Sequence, residues 1–212
     1  MIYLLSIKFT LRTSNVTTQS PSNLERISRM KFTITSLAAL LTLTSATPTP
    51  DPMIRPDTLS QYTVSTGAIA YNVPTGRIHK NGVDSDITTL VTFTFPDNTA
   101  GKTCEFNFAL NNCLHCNPSY PYGTAQIDVY TSLAPADHST TTWPNGNMRD
   151  QYIGRLQAIK PGVASYVAGF PVVGQGFPCP AGMTLGGELV GVGDVDEINW
   201  DGEGEGPYFR VY

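Results

Sequence analysis

The chain has 212 residues, with 13 basic against 17 acidic side chains, 14% charged and 41% hydrophobic. It is too apolar for a disordered chain and too poor in basic residues for a nucleic-acid binder, and its length accommodates one ordinary domain plus a leader. Its 19 glycines and 16 prolines work against long helices.

Residues 1–29 are rich in Ser and Thr and carry a single acid, Glu25. They are expected to lie upstream of the physiological start, Met30. Met30-Lys31 opens an apolar run over residues 32–43, followed by the small residues Thr44-Ser45-Ala46. A short basic start, about a dozen apolar residues and a small-residue exit make a secretory signal peptide over residues 30–46. The run falls short of the roughly 20 apolar residues that span a bilayer. Without residues 1–46 the chain keeps 8 basic and 16 acidic residues, a net charge of −8. That sign argues against nucleic acid and anionic membranes as partners. A secreted protein without a membrane anchor is expected. Residues 47–61, with Pro48, Pro50, Pro52 and Pro56, read as an extended linker before a domain over residues 62–212.

From residue 62 onward, short alternating segments are separated by Gly, Pro, Asn and Asp, the pattern of an all-β sandwich. In residues 87–95, Thr89, Val91, Phe93 and Phe95 share one face. In residues 104–110, Cys104, Phe106, Phe108 and Leu110 do. Ala125, Ile127 and Val129 alternate with Gln126, Asp128 and Tyr130. Further strands are expected within residues 68–73, 153–159, 163–169, 188–192 and 207–211, and Asn81-Gly82 signals a tight hairpin turn. The expected fold is an antiparallel, two-sheet, jelly-roll-like β-sandwich behind the signal peptide and linker. Two long irregular segments, residues 110–124 and 133–152, are where function is expected on such a scaffold.

The four cysteines, Cys104, Cys113, Cys116 and Cys179, permit three pairings. An oxidising compartment makes disulfides the default. Cys104 on the inward face of its strand and Cys179 in Phe177-Pro178-Cys179-Pro180 favour one long bridge, with Cys113 and Cys116 as a local pair. Cys113-Leu114-His115-Cys116 also has the C-x-x-C spacing of redox and zinc sites. A redox site needs a helix start in a βαβ unit, and a zinc site needs two further ligands at metal-site spacing. No metal or cofactor is expected.

No nucleophile-elbow, zincin or phosphate-loop pattern occurs, and His79, His115 and His138 read as polar residues of turns and loops. Asp194, Asp196, Glu197, Asp201, Glu203 and Glu205 form an acidic stretch that offers oxygen ligands for calcium without the EF-hand spacing. Solvated turns explain it equally well. Trp143 and Trp200 stand beside turn residues and suit either core packing or a partner.

Several segments occur together in one known group, in the order found here: Thr89-Leu90-Val91-Thr92-Phe93, Gly101-Lys102-Thr103-Cys104, Ser132-Leu133-Ala134-Pro135-Ala136, residues 142–151 (TWPNGNMRDQ), residues 177–182 (FPCPAG) and residues 188–194 (ELVGVGD). Over residues 62–212 the chain resembles the C-terminal domain family named for a ubiquitin 3 binding protein, the But-two family, many of whose members are small secreted fungal proteins. The resemblance implies a β-sandwich without catalytic residues and a bridge between Cys104 and Cys179. The family name implies a partner in an intracellular modifier pathway, which a secretory leader contradicts. The expected function is non-catalytic binding at a cell wall or in the extracellular space, with polysaccharide or an extracellular protein as partner. Trp143, Asn147, Arg149 and Asp150 on the second long loop are the candidate contacts. The alternative is a carbohydrate-active enzyme drawing an acid pair from Asp128, Asp150, Asp194 and Asp196.

Overall fold

A computed structural model describes residues 52–111, 121–136, 148–171 and 174–212 of the chain. In chain order the strands are β1 (Met53–Ile54), β2 (Thr58–Thr63), β3 (Ala68–Ala70), β4 (Thr75–Lys80), β5 (Ile87–Thr94), β6 (Thr103–Leu110), β7 (Tyr122–Gly123) and β8 (Gln126–Ser132). They continue with β9 (Arg149–Gln157), β10 (Gly162–Val163), β11 (Ser165–Tyr166), β12 (Phe177–Pro178), β13 (Thr184–Gly191), β14 (Asp196–Asp201) and β15 (Gly206–Val211). Among the described residues, one 3-10 turn, Asp97–Thr99, is the only helical element.

All pairings are antiparallel. One sheet has the order β1-β15-β6-β10, with β12 also on β6. The other runs β11-β9-β8-β13-β5-β4-β14-β7, with β2 on β5 and β3 on β2. The inward faces predicted for β5 and β6 are the observed ones: Thr89, Val91, Phe93, Phe95, Cys104, Phe106, Phe108 and Leu110 are all buried. They pack between the sheets because a half-apolar strand removes its apolar face from water only against another such face. Phe209 of β15 lies edge-on to Phe93 of β5 at 4.8 Å and to Phe106 of β6 at 5.3 Å. Phe108 meets Trp200 of β14 edge-to-face at 5.2 Å. Trp200 is therefore a core residue, and Gly76, its register partner on β4, has no room for a Cβ against the indole.

The outcome departs from the sequence pattern at several places. Residues expected as linker take part in the sheets: Met53 pairs with Arg210, and Thr58 with Thr92. Asn81 forms a turn, its Oδ1 accepting the Val83 and Asp84 amides, but β4 and β5 then share a single pair, His79 with Ile87. No two-residue hairpin results, because β5 pairs along its length with β2 and β13 instead. Where β4 leaves β5, the buried Thr89 hydroxyl takes over from backbone pairing. It accepts the Arg77 amide at 2.8 Å and donates to the Arg77 carbonyl at 2.7 Å. Residues 163–169 give two short strands on different sheets, not one. The acidic stretch contains a strand, β14, with Ile198 and Trp200 fully buried.

Cys104 and Cys179 are joined in a disulfide across 75 residues of sequence. Cys113 and Cys116 lie outside the described residues. Closing a loop of this length restricts the unfolded chain, so replacing both Cys104 and Cys179 by Ala is expected to cost about 3–4 kcal/mol in urea unfolding, relative to the oxidised wild type.

Candidate functional site

The outer face of β8, β9 and β13 carries a row of paired charges and tyrosines. Its geometry comes from the register. Tyr130 of β8 faces Glu188 of β13 on one side and Tyr152 of β9 on the other, and Asp128 faces Arg155. Directly opposed side chains on one face interact across strands. The spacing along β9 is unusual, because Arg149, Tyr152 and Arg155 stand three apart and strict alternation would send Tyr152 to the opposite face. Two register shifts, between Val129 and Tyr130 and between Tyr130 and Ser132, bring all three to the same side. Each shift gives β9 an extra residue, which reverses the alternation. At the first, Gly154 takes φ 151°, a conformation glycine adopts without strain, and Ile153 turns towards the interior.

Arg149 grips Glu188 with two hydrogen bonds, Nε to Oε2 and Nη2 to Oε1, both 2.7 Å. Thr88 donates to the same carboxylate at 2.6 Å. Glu188 is fully buried, whereas the Arg149 side chain is 37% exposed and lies 4.7 Å from the Tyr130 ring centre. Arg155 holds Asp128 the same way, at 2.7 and 2.8 Å, and covers the Phe170 ring at 4.3 Å. Tyr152 donates its hydroxyl to Asp128 at 3.0 Å and packs against Tyr130 at 5.2 Å. Burial and the bond to Asp128 push the Tyr152 phenol up to about 12, so it stays a donor. The hydrogen bond to Glu188 raises Arg149 further, and that to Asp128 does the same for Arg155. These carboxylates are braced acceptors within bidentate, charge-assisted pairs.

Of the expected contact residues, Trp143 and Asn147 lie outside the described residues. Arg149 and Asp150 stand at the start of β9. Arg149 is the clamp on Glu188, and Asp150 is exposed and accepts the Thr131 hydroxyl at 3.3 Å. The Leu133 amide donates to the Met148 carbonyl at 2.9 Å, so the ends of the long loop are tied together beside Arg149. His115 and His138 are likewise outside the described residues.

The other acids go separate ways. Asp194 is exposed. Asp196 is fully buried, its Oδ2 accepting the Val192 amide at 3.0 Å while Oδ1 has no partner among the described residues. Glu197 turns outward to His79, Arg77 and Asn199. Burial alone would raise the Glu197 carboxyl, but the hydrogen bonds from these three outweigh it and hold the group low. Glu205 is buried against Lys160 at 3.5 Å and accepts the Asn111 amide at 2.7 Å. Among the described residues, no three His, Cys, Asp or Glu side chains converge as metal ligands.

A family profile described as Ubiquitin 3 binding protein But2 C-terminal domain matches residues 70–201. The chain belongs to this family. The matched stretch runs from the end of β3 to the end of β14 and contains both clamps and both bridged cysteines of this But2 domain. It excludes β1, β2 and β15, which complete the sheets. No curated protein matches the chain.

Removing a carboxylate from a buried ion pair strands its partner. Arg149, however, is more than a third exposed and can be rehydrated, so Glu188→Ala is expected to cost about 1–2 kcal/mol, read as a lowered urea midpoint. A second outcome concerns pH. Desolvation pushes the Asp196 carboxyl up to about 6, and the Val192 amide only partly offsets this. The folded state then holds a proton that the unfolded chain releases near pH 4. Stability is expected to fall as pH rises from about 4 to about 6.5, by on the order of 3 kcal/mol. Urea midpoints across this range should show that slope in the wild type and a flatter one in Asp196→Asn.

Proposed function

We propose that this But2 domain is a secreted, non-catalytic binding module acting on cell-wall polysaccharide in the extracellular space. The state of the outer-face carboxylates carries the reading. Glu188 and Asp128 are neutralised by bidentate arginines and hold the Tyr130–Tyr152 pair in place. A charge-balanced strip of tyrosines and fixed polar groups suits stacking against sugar rings. The loop whose ends are tied at Leu133 and Met148 contains Trp143 and Asn147 in its sequence, and the exposed Asp150 follows it on β9. The disulfide and the apolar run at residues 32–43 support export. Export separates the domain from the intracellular partner in the family name, and the fungal setting of many such proteins makes glucan and chitin the first polysaccharides to try.

The test is co-sedimentation of the secreted protein with insoluble chitin, β-glucan and cellulose, with sugar release measured in parallel. Saturable binding is expected on at least one polymer, weakened tenfold or more by Trp143→Ala and by Tyr130→Ala without loss of folding. Reducing ends released in an Asp150-dependent manner would replace the reading with an enzyme. Binding unchanged in Trp143→Ala would remove the loop from the site.

A further inference from the structure

Between the two sheets lies a cavity of about 300 Å³. Val91, Phe93, Val129 and Leu189 wall it from the larger sheet, and Phe106 and Phe209 from the smaller. It is thus a partly open recess between the sheets rather than a flat outer face. An apolar void of half this volume stays dry and takes up small apolar molecules, and about 300 Å³ is the lower bound for ordinary ligand pockets.

The lining specifies the ligand. Glu188 and Tyr130 border the cavity through strands whose alternation turns their side chains outward, to Arg149, Thr88 and Tyr152. No basic side chain lines it among the described residues. The half-buried Ile153, Leu185, Phe177 and Phe209 line it together with the exposed Gln175, which offers an amide but no charge. Two backbone features serve the space. The register shift in β9 aims Ile153 towards it, and Gly187, on the inward face of the central strand β13, contributes no side chain to its wall. Glycine in a strand interior weakens the strand and often marks a close approach to a ligand.

We propose that this cavity binds a single alkyl or acyl chain of medium length bearing an uncharged head, with the chain lying beside the Phe93–Phe106–Phe209 cluster against Val91, Val129 and Leu189, and the head at Gln175. The site is independent of the outer-face strip, so failure of polysaccharide binding leaves it standing, and the reverse holds.

The probe is decan-1-ol added to the intact secreted protein, followed by NMR shifts of the Val91, Val129, Leu185 and Leu189 methyl groups and by calorimetry. Saturable one-to-one binding is expected, with those methyls moving together. Sodium decanoate at pH 8 is expected to bind at least tenfold more weakly, since no basic side chain lines the cavity among the described residues. Val129→Phe fills the cavity and is expected to lower decan-1-ol affinity at least tenfold while unfolding stays cooperative. Leu185→Trp, which adds bulk at a half-buried lining position, serves the same purpose if Val129→Phe does not fold. The proposal is overturned by the absence of saturable binding in the wild type, by equal binding in a folded filled variant, or by decanoate binding more tightly than the alcohol.

Discussion

Phe209 stands edge-on to Phe93 of the opposite sheet and to Phe106 of its own, with Phe95 and Phe177 also in contact, their ring centres 5.0 and 5.8 Å away. This one side chain couples the two layers. Aromatic edges and faces attract at such distances beyond the gain from burial alone, and both sheets depend on the contact to hide their inner faces. The disulfide acts near the same place: Val211, two residues on from Phe209, is the register partner of Cys104. The cavity lies beside this cluster because large flat rings joined edge-on do not fill the space between twisted sheets as interleaved aliphatic chains do.

The outer face of the larger sheet follows a different rule. Burying Glu188 in place of an apolar side chain gives no evident gain in stability, since desolvation consumes most of the attraction to Arg149. What the pair does supply is orientation. Its two parallel hydrogen bonds, and the matching pair at Asp128, fix two guanidinium planes, and these in turn fix the rings of Tyr130 and Phe170 beneath them. A surface arranged in this way loses little freedom on meeting a rigid ligand, which is the physical advantage of such bracing in a binding module.

The core strands were legible because nothing interrupts their alternation. Thr89 to Phe95 and Cys104 to Leu110 place every inward residue two positions from the last. The braced face was not legible, for the same reason: an inserted residue reverses the alternation twice in β9, and no pattern of period two relates Arg149, Tyr152 and Arg155. Arg149 and Asp128 were in view as a contact residue and as a candidate acid, yet their tie to Glu188 and Arg155 depends on register between strands far apart in sequence. The strand at β14 was hidden by its acids. Asp196 occupies an inward position where an apolar residue is the expected sign, and Glu197 beside it carries its charge to His79, so the segment reads as solvated from composition alone. The early strands β1 and β2 were masked by prolines at positions 52 and 56, which flank the paired residues without interrupting them.

The pairing of Met53 with Arg210 brings the first and last strands of the domain side by side. The polypeptide thus enters and leaves through neighbouring points of the smaller sheet's edge. Such a sandwich can be inserted into a loop of another protein, or have its ends fused and new ones opened elsewhere, with its layers undisturbed.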